Sequence, residues 1–528
     1  MISVTRRTFE CIIPPLTVGT TAVALYQIFH QKSQPLEKKA ILTAGVVVLG
    51  SIVLCATNKK ARELFKKQFW DVAVSIFSYP ENLEPVEKIN AKLLRSSFER
   101  LEKNPHLNDL YDKLRNLNDH HLEIKNIRFD YLQETEIDLE EAAQIMQNEH
   151  QIINELEMSI IDSMQTLEQQ KLLNKPEKAL LHSLTAKKKV QEINHKIFEP
   201  SEVKRALDEQ GARSKKQANK ECNREFDAPE LLPSLISWEE NWETAPKDDF
   251  YYKLFTLGTH AAICESKGRR EYMEDASLAT IIGVNGYNIP LIGIFDGHKG
   301  SLKEGAILKA SDYVQQRLSL KLEKNIAYFL TYFRVGSLTD EVLYNAMRHA
   351  LIELHEEYPG LHGTTVNISL IVNDALYAAN IGDSRSVFVD SLGKWTQLTE
   401  DAKADDPRHQ KTIKDLGGTV VFRGDSWRIS GVIGMGSALG DPEIVGINPT
   451  VDISKTPIPK EGGILLVASD GLWNAISSKN ASTILYKNQH DLSPSDLSTG
   501  ILNAAWHAGS EDNLSAIVFK MPGLINSD

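Results

Sequence analysis

The stretch Ile289-Pro290-Leu291-Ile292-Gly293-Ile294-Phe295-Asp296-Gly297-His298 reads as a short apolar strand running into an acid-bearing turn. An uninterrupted apolar run of this length, ended by Asp-Gly, is the pattern of a strand buried on both faces. Four more acid-bearing turns lie in the C-terminal half: Met273-Glu274-Asp275, Ile381-Gly382-Asp383-Ser384-Arg385, Ala468-Ser469-Asp470-Gly471 and Glu511-Asp512-Asn513. An apolar strand leads into or away from most of them. Carboxylates placed this way can gather at sheet ends around hard cations.

Outward from that strand, signals for strand and helix alternate. Residues 364–372 place Val366, Ile368, Leu370 and Val372 on one face and Thr365, Asn367, Ser369 and Ile371 on the other. The turn Asn373-Asp374 makes residues 375–380 a hairpin mate. Residues 464–468 form another apolar strand that stops at Ser469-Asp470-Gly471, and 514–519 follow Asp512-Asn513 in the same manner. Helical patterns cover 303–318, 339–355 and 495–508. The expected architecture is layered α/β.

A chain of 528 residues is too long for one ordinary domain, and 42% hydrophobic with 25% charged residues permits a sizeable core. The net charge of −12 argues against nucleic-acid binding, which needs a basic surface. Cys11, Cys55, Cys222 and Cys264 form no CxxC pair, which points to free thiols and no zinc site.

The N-terminus differs from the rest. Residues 11–29 and 40–57 are two apolar stretches without a charged residue, each close to the length that spans a bilayer as a helix. Arg6, Arg7, Lys59, Lys60, Arg62, Lys66 and Lys67 flank the pair, outnumbering Lys32, Lys38 and Lys39 in the turn, so residues 1–67 read as a membrane hairpin with both ends in the cytosol. A buried soluble hairpin and a cleaved secretory signal are the rival readings. In hydropathy the paired lobes resemble the bilobed hairpin of chlamydia-type inclusion-membrane proteins, which implies a secreted effector in a host-facing membrane.

From about Asn82 to Lys220 the chain is polar, rich in lysine and glutamate and poor in glycine, a helical composition, and residues 68–199 read as a helical, coiled-coil-like region. Met146, Ile153, Ile160 and Leu167 fall seven apart, like a coiled-coil seam, although Glu149 and Ser163 interrupt the companion register. Self-association through 139–173 and an amphipathic helix within an antiparallel bundle both fit. Asn174-Lys175-Pro176 predicts a fresh helix start that folds 177–195 back. His120-His121 reads as a pair of surface histidines. Residues 200–230 are densely charged and read as a solvated linker to a domain at 231–528.

Carboxylates with a backbone carbonyl and water are the ligand set of Mg²⁺ or Mn²⁺. An aspartate shared by two such ions pins a water whose pKa falls toward roughly 7. An arginine could then clamp phosphate oxygens and a histidine could protonate a departing alkoxide. Arg270 and His298 are the candidates.

The order of turns resembles the metal-dependent protein phosphatase family (PPM, type 2C). The resemblance rests on Gly268-Arg269-Arg270-Glu271-Tyr272-Met273-Glu274-Asp275-Ala276, Phe295-Asp296-Gly297-His298, Gly363-Thr364-Thr365, Ala379-Asn380-Ile381-Gly382-Asp383-Ser384-Arg385, Leu398-Thr399, Gly417-Gly418, Ala438-Leu439-Gly440-Asp441, Ala468-Ser469-Asp470-Gly471-Leu472-Trp473 and Asp512-Asn513, in roughly residues 255–520. It implies a four-layer α-β-β-α sandwich of two antiparallel sheets that hydrolyses phosphoserine and phosphothreonine through a hydroxide held by two metal ions. By motif, Asp296 would bridge the ions, Asp470 and Asp512 would complete one shell, and the Gly297 carbonyl and Glu274 would serve the other. Asp275 would orient metal-bound water, Arg270 would hold phosphate and His298 would be the general acid.

Several positions depart from the family pattern. Lys299 stands where glycine follows the histidine. Asp401 keeps the aspartate linked to a third ion, but Ala402 replaces the histidine after it, and Asn474 replaces an aspartate after Trp473. Ser437, His409 and Thr412 replace arginine, glutamate and arginine. Two functions follow: a membrane-tethered serine/threonine phosphatase, or a pseudophosphatase scaffold recruiting partners through its helices. Every principal ligand position is filled, which favours the enzyme.

Overall fold

A computed structural model describes residues 107–133, 139–222, 250–298, 309–424 and 426–521. The hairpin at 11–57, with its membrane and inclusion-protein readings, lies outside the described residues, as does Lys299. Among the described residues no helix is long and apolar enough to cross a membrane.

Helices α1 (Asn108–Gln133), α2 (Leu139–Gln169) and α3 (Lys175–His195) form a bundle. The expected break opens α3: the Asn174 side chain accepts from the Glu177 amide at 2.9 Å, and the Glu177 carboxylate accepts from the Asn174 amide at 2.8 Å. This reciprocal cap satisfies two otherwise orphaned amides. Met146, Ile153 and Ile160 of the heptad-like stripe are buried against Leu110 and Leu114 of α1 and Leu180 and Leu184 of α3. The stripe therefore meets partner helices of its own chain. Its polar interruptions are matched across the bundle, Glu149 by His120 at 3.2 Å and Ser163 by Lys113 at 2.8 Å. His120 is thus half-buried in a hydrogen bond to Glu149, a correction to the surface reading.

The linker expectation is also corrected, because residues Pro200–Cys222 form helix α4. Val203, Leu207, Gln210, Ser214 and Ala218 recur at helical spacing and are buried, while Lys204, Arg205, Asp208, Glu209, Lys215 and Lys216 face water. Small and polar residues make up most of the buried stripe, so the surrounding charge hid it. The bend before α4 is anchored by Arg348, which donates to the carbonyls of Asn194 at 2.6 Å and Ile193 at 2.5 Å, and by Asn345, paired with both backbone groups of Phe198.

Beyond the bundle two antiparallel sheets stack. One has the order β1 (Lys253–Leu257), β2 (Ala261–Ser266), β16 (Leu514–Met521), β15 (Gly463–Ala468), β9 (Arg385–Asp390), β10 (Trp395–Gln397). The other runs β14 (Asp452–Pro457), β8 (Ala375–Ile381), β7 (Val366–Val372), β4 (Tyr287–Phe295), β3 (Ala276–Val284). Val366, Ile368, Leu370 and Val372 face a helical layer of α5 (Ala310–Tyr332) and α6 (Asp340–Glu357), as their alternation predicts. Asn373 takes φ +55° in the turn to β8. Ile292, Ile294, Leu376, Phe388, Leu465, Val467 and Ile517 fill the space between the sheets. Val387, Leu466 and Val518 pack outward on α9 (Ser478–Asn488) and α10 (Pro494–His507). These are the four layers α-β-β-α. The remaining elements are β5 (Gly297–His298), β6 (Gly363–Thr364), α7 (Pro407–Asp415), the hairpin β11 (Val420–Arg423) and β12 (Ser426–Ile429), β13 (Leu439–Gly440) and the single turn α8 (Asp470–Trp473).

Ile160 is fully buried in the bundle and Ile152 is 37% exposed on the same helix. Ile160→Ala is expected to cost about 3 kcal/mol, and Ile152→Ala under about 1 kcal/mol. Chemical denaturation followed by circular dichroism measures both.

Candidate active site

Strand register brings the acidic turns together. Ala276 pairs with Phe295, so Asp275 and Asp296 sit at one end of the second sheet. Ala468 pairs with Ala516, so Asp470 and Asp512 sit just beyond the end of the β15–β16 pair in the first sheet. Asn513 ties the two corners: its amide nitrogen donates to the carbonyls of Lys267 at 2.8 Å and Tyr272 at 2.9 Å, and its oxygen accepts from the Glu274 amide at 2.8 Å. One side chain thereby fixes the loop that carries Arg270 and Glu274.

A Cβ at Gly297 would fall on the Glu274 carbonyl oxygen and crowd Ser311 Oγ, so only glycine lets the Asp296 turn lie against the Glu274 turn. Ser311 Oγ donates to that carbonyl at 2.6 Å. Arg270, half-exposed, donates from Nη2 to Asp512 Oδ2 at 2.6 Å and from Nε to the Glu511 carbonyl at 3.0 Å. Arg269 is turned away, with its guanidinium 4.3 Å from the centre of the Trp506 ring. The two neighbouring arginines therefore have separate duties.

His298 Nε2 meets Asp441 Oδ2 at 2.5 Å, and Nδ1 is buried without a hydrogen-bond partner. Asp441 is fully buried and takes φ +54°, a left-handed conformation that aspartate tolerates better than most residues. A Cβ at Gly363 would fall on both Asp441 Oδ2 and His298 Nε2. With Nε2 held by the carboxylate, Nδ1 is the ring nitrogen left unengaged.

The carboxylates disturb one another strongly. Burial, then the charges of Asp512 and Asp470, push Asp275 up to about 8, and its Oδ2 has no hydrogen-bond partner. Burial, then Asp383 and Asp512, push Asp470 up to about 7. Asp296 is raised well above the usual carboxylate range by burial and by Asp275, Asp470, Asp512 and Asp383. Asn474 donates to Asp470 Oδ2 at 2.9 Å, where a carboxylate would have added to the repulsion.

The structure treats Asp401 differently from the other expected metal ligands. Both of its oxygens accept from Arg385, at 2.9 and 2.7 Å. Ser437, fully buried, accepts from the Gly382 amide at 3.2 Å, and buried His409 is shifted down by desolvation. Among the described residues no three carboxylate, imidazole or thiol groups close on one point as a finished metal shell. Donor type and charge nonetheless fit a hard divalent cation: oxygen ligands, an orphaned buried Asp275 oxygen, and like charges raised by their own proximity. Asp441 and Asp383 were missed as site residues. Asp441 lies 143 positions from His298, and only the Gly440-Asp441 turn signal marked it.

These acidic corners lie within a segment that known proteins share. The family model described as Protein phosphatase 2C matches residues 259–514. Probable protein phosphatase 2C 69 of Arabidopsis thaliana is 31% identical over 261 residues, covering 48% of this chain and 68% of the relative. Protein phosphatase 1L of Bos taurus is 30% identical over 283 residues, covering 51% and 75%. Probable protein phosphatase 2C 76 of Arabidopsis thaliana is 30% identical over 260 residues, 49% of this chain, and the match spans 58% of that relative's length. The chain belongs to the protein phosphatase 2C family.

Asp275 and Asp470 hold protons in the fold that the unfolded chain releases near pH 4. Their raised values mean that stability without cations is full below about pH 4 and is lost as pH climbs through 7 and 8. In chelator, the melting temperature is expected to fall by roughly 5 °C or more between pH 5.5 and 8. Asp470→Asn should flatten that fall, and scanning fluorimetry across pH measures it.

Proposed function

We propose that this chain is a metal-dependent protein phosphatase acting on phosphoserine and phosphothreonine. The observation that carries the reading is the convergence of Asp275, Asp296, Asp470 and Asp512 beside Arg270 and His298. Asp296, Asp470 and Asp512 would hold one divalent cation, Mg²⁺ or Mn²⁺, with Asp296, the Gly297 carbonyl and Glu274 serving a second. Such cations supply Lewis-acid activation of water and offset the repulsion described above.

The protein groups do the rest. Arg270, fixed by Asp512 and the Glu511 carbonyl, presents its free N–H donors to phosphate oxygens. Asp275 accepts a hydrogen bond from the attacking water through its unpartnered oxygen and so aims it at phosphorus. His298 gives the proton on Nδ1 to the departing serine or threonine oxygen, and Asp441 on the opposite ring nitrogen stabilises the charged ring. Hydropathy of residues 11–57 supports a membrane tether with both termini in the cytosol.

The full chain is expected to release phosphate from a phosphothreonine peptide only with Mn²⁺ or Mg²⁺ present. Asp470→Asn should lower kcat/KM by at least about 100-fold, His298→Ala should lower kcat by about 100-fold, and Arg270→Ala should act mainly on KM. No turnover by the wild-type chain at millimolar metal would replace this reading with that of a scaffold. For the tether, the full chain should sediment with membranes and a chain lacking residues 1–67 should not; recovery of both as soluble protein refutes it.

A further inference from the structure

Helix α4 lies outside the segment that matches the family, yet one of its faces is bonded residue by residue to the segment around Asp401. Arg213 pairs with Glu400 at 3.3 Å and with Asp452 at 3.1 Å. Ser214 Oγ donates to the Leu398 carbonyl at 3.3 Å. Gln217 Oε1 accepts from the Asp401 amide at 2.8 Å and from Gln397 Nε2 at 2.9 Å. Glu221 accepts from both terminal nitrogens of Arg385, at 2.8 and 2.9 Å. These four residues follow the helical repeat, so a single face makes every contact.

Arg385 is the junction. It is 3% exposed, and its donors reach Asp401 Oδ1 from Nε, Asp401 Oδ2 and Glu221 from Nη2, and Glu221 and Ser478 from Nη1. Every N–H of the guanidinium is thereby used. Burial alone would weaken its charge, but Asp401 and Glu221 outweigh that and raise it further. Two residues before Arg385, Asp383 pairs with Lys403 at 2.7 Å, and Lys403 lies two residues after Asp401. Asp383 is the largest charge acting on Asp470, and Lys403 opposes it. Contacts thus run from α4 through Arg385 to Asp401, and the same two backbone segments carry the Asp383–Lys403 pair, whose charges act on Asp470 together with that of Asp512.

We propose that Glu221 and Gln217 are positioning residues of the active site: helix α4 locks Asp401 onto Arg385 as a structural anchor and thereby holds the Asp383–Lys403 pair beside the carboxylate centre. Removing Glu221 leaves Arg385 with two donors unsatisfied in a buried setting, and removing the Gln217 oxygen frees the Asp401 amide. Either change loosens residues 397–403 without touching a group that meets substrate.

The kinetic half of this inference rests on the phosphatase reading, so the test has two arms on the full chain. In chelator, hydrogen–deuterium exchange of residues 397–403 should quicken about 10-fold in Glu221→Gln and in Gln217→Leu, and stay unchanged in the outward-facing Lys216→Ala. With Mn²⁺ and p-nitrophenyl phosphate, kcat should fall about 10-fold in the first two with KM within about twofold. Glu221→Asp, which keeps the charge, should recover part of both losses. Wild-type exchange and wild-type kcat in Glu221→Gln and Gln217→Leu overturn the proposal, as does a fall in melting temperature with kcat intact, which marks mere adhesion of the helix. If the wild-type chain hydrolyses nothing, the phosphatase reading fails, and the exchange arm alone decides whether α4 positions this segment.

Discussion

Asp275, Asp296 and Asp470 repel one another, and burial, nearly complete at Asp275 and partial at Asp296 and Asp470, adds to the cost of each negative charge. A fold that places several carboxylates at adjoining sheet ends gives up stability there unless protons or cations offset the charge. The surrounding architecture is arranged to keep them from moving apart. Sheet pairing sets their positions along two strand ends, and both sheets are anchored by thick apolar layers on either side. Relaxing the repulsion would require breaking strand register, which shifts every side chain to the opposite face.

A polar layer inside the sandwich transmits that rigidity. Thr365 Oγ1 accepts from the Asp296 amide at 3.0 Å and meets Ser384 Oγ at 2.6 Å. Asn367 donates to Asn380 at 2.7 Å, to the Ser384 carbonyl at 3.1 Å and to Thr399 at 3.1 Å. These are the polar members of the alternating strand 364–372, placed between the sheets where apolar residues would be the default. Buried polar groups with satisfied partners specify one arrangement. Here they join the Asp296 turn to the turn of Asp383, so the two acidic corners share one framework.

Much of this was legible in the chain. The alternation at 364–372, the hairpin at Asn373-Asp374 and the apolar strands ending at Asp296 and Asp470 are local patterns, and they appear where expected. Asn174-Lys175-Pro176 announced its helix because a helix start is a local event, and the structure adds Glu177 as the reciprocal cap. Pairings across long separations were not legible: Asp441 with His298, Asn513 with Lys267 and Tyr272, Glu221 with Arg385. Each depends on tertiary register, and none leaves a periodic trace. Arg269 and Arg270 are adjacent residues of one type, which the chain alone does not tell apart. Only the position of Trp506, more than two hundred residues away, separates them.

The boundary of the catalytic unit shows the same limit from the other side. A charged segment at 200–222 reads as linker when apolar content is the criterion, since its buried stripe contains Gln210 and Ser214. Energetically those residues belong to the domain they touch. Val203 and Leu207 share a core with Leu343 and Tyr377, and Ser214, Gln217 and Glu221 satisfy groups on the strands and turns beside the site. A truncation drawn at the start of the family match would leave Arg385 buried with part of its hydrogen bonding removed. It would also expose the face of β14 on which α4 rests. The physical domain therefore begins earlier than the matched segment, at the helix whose polar face completes the buried arginine.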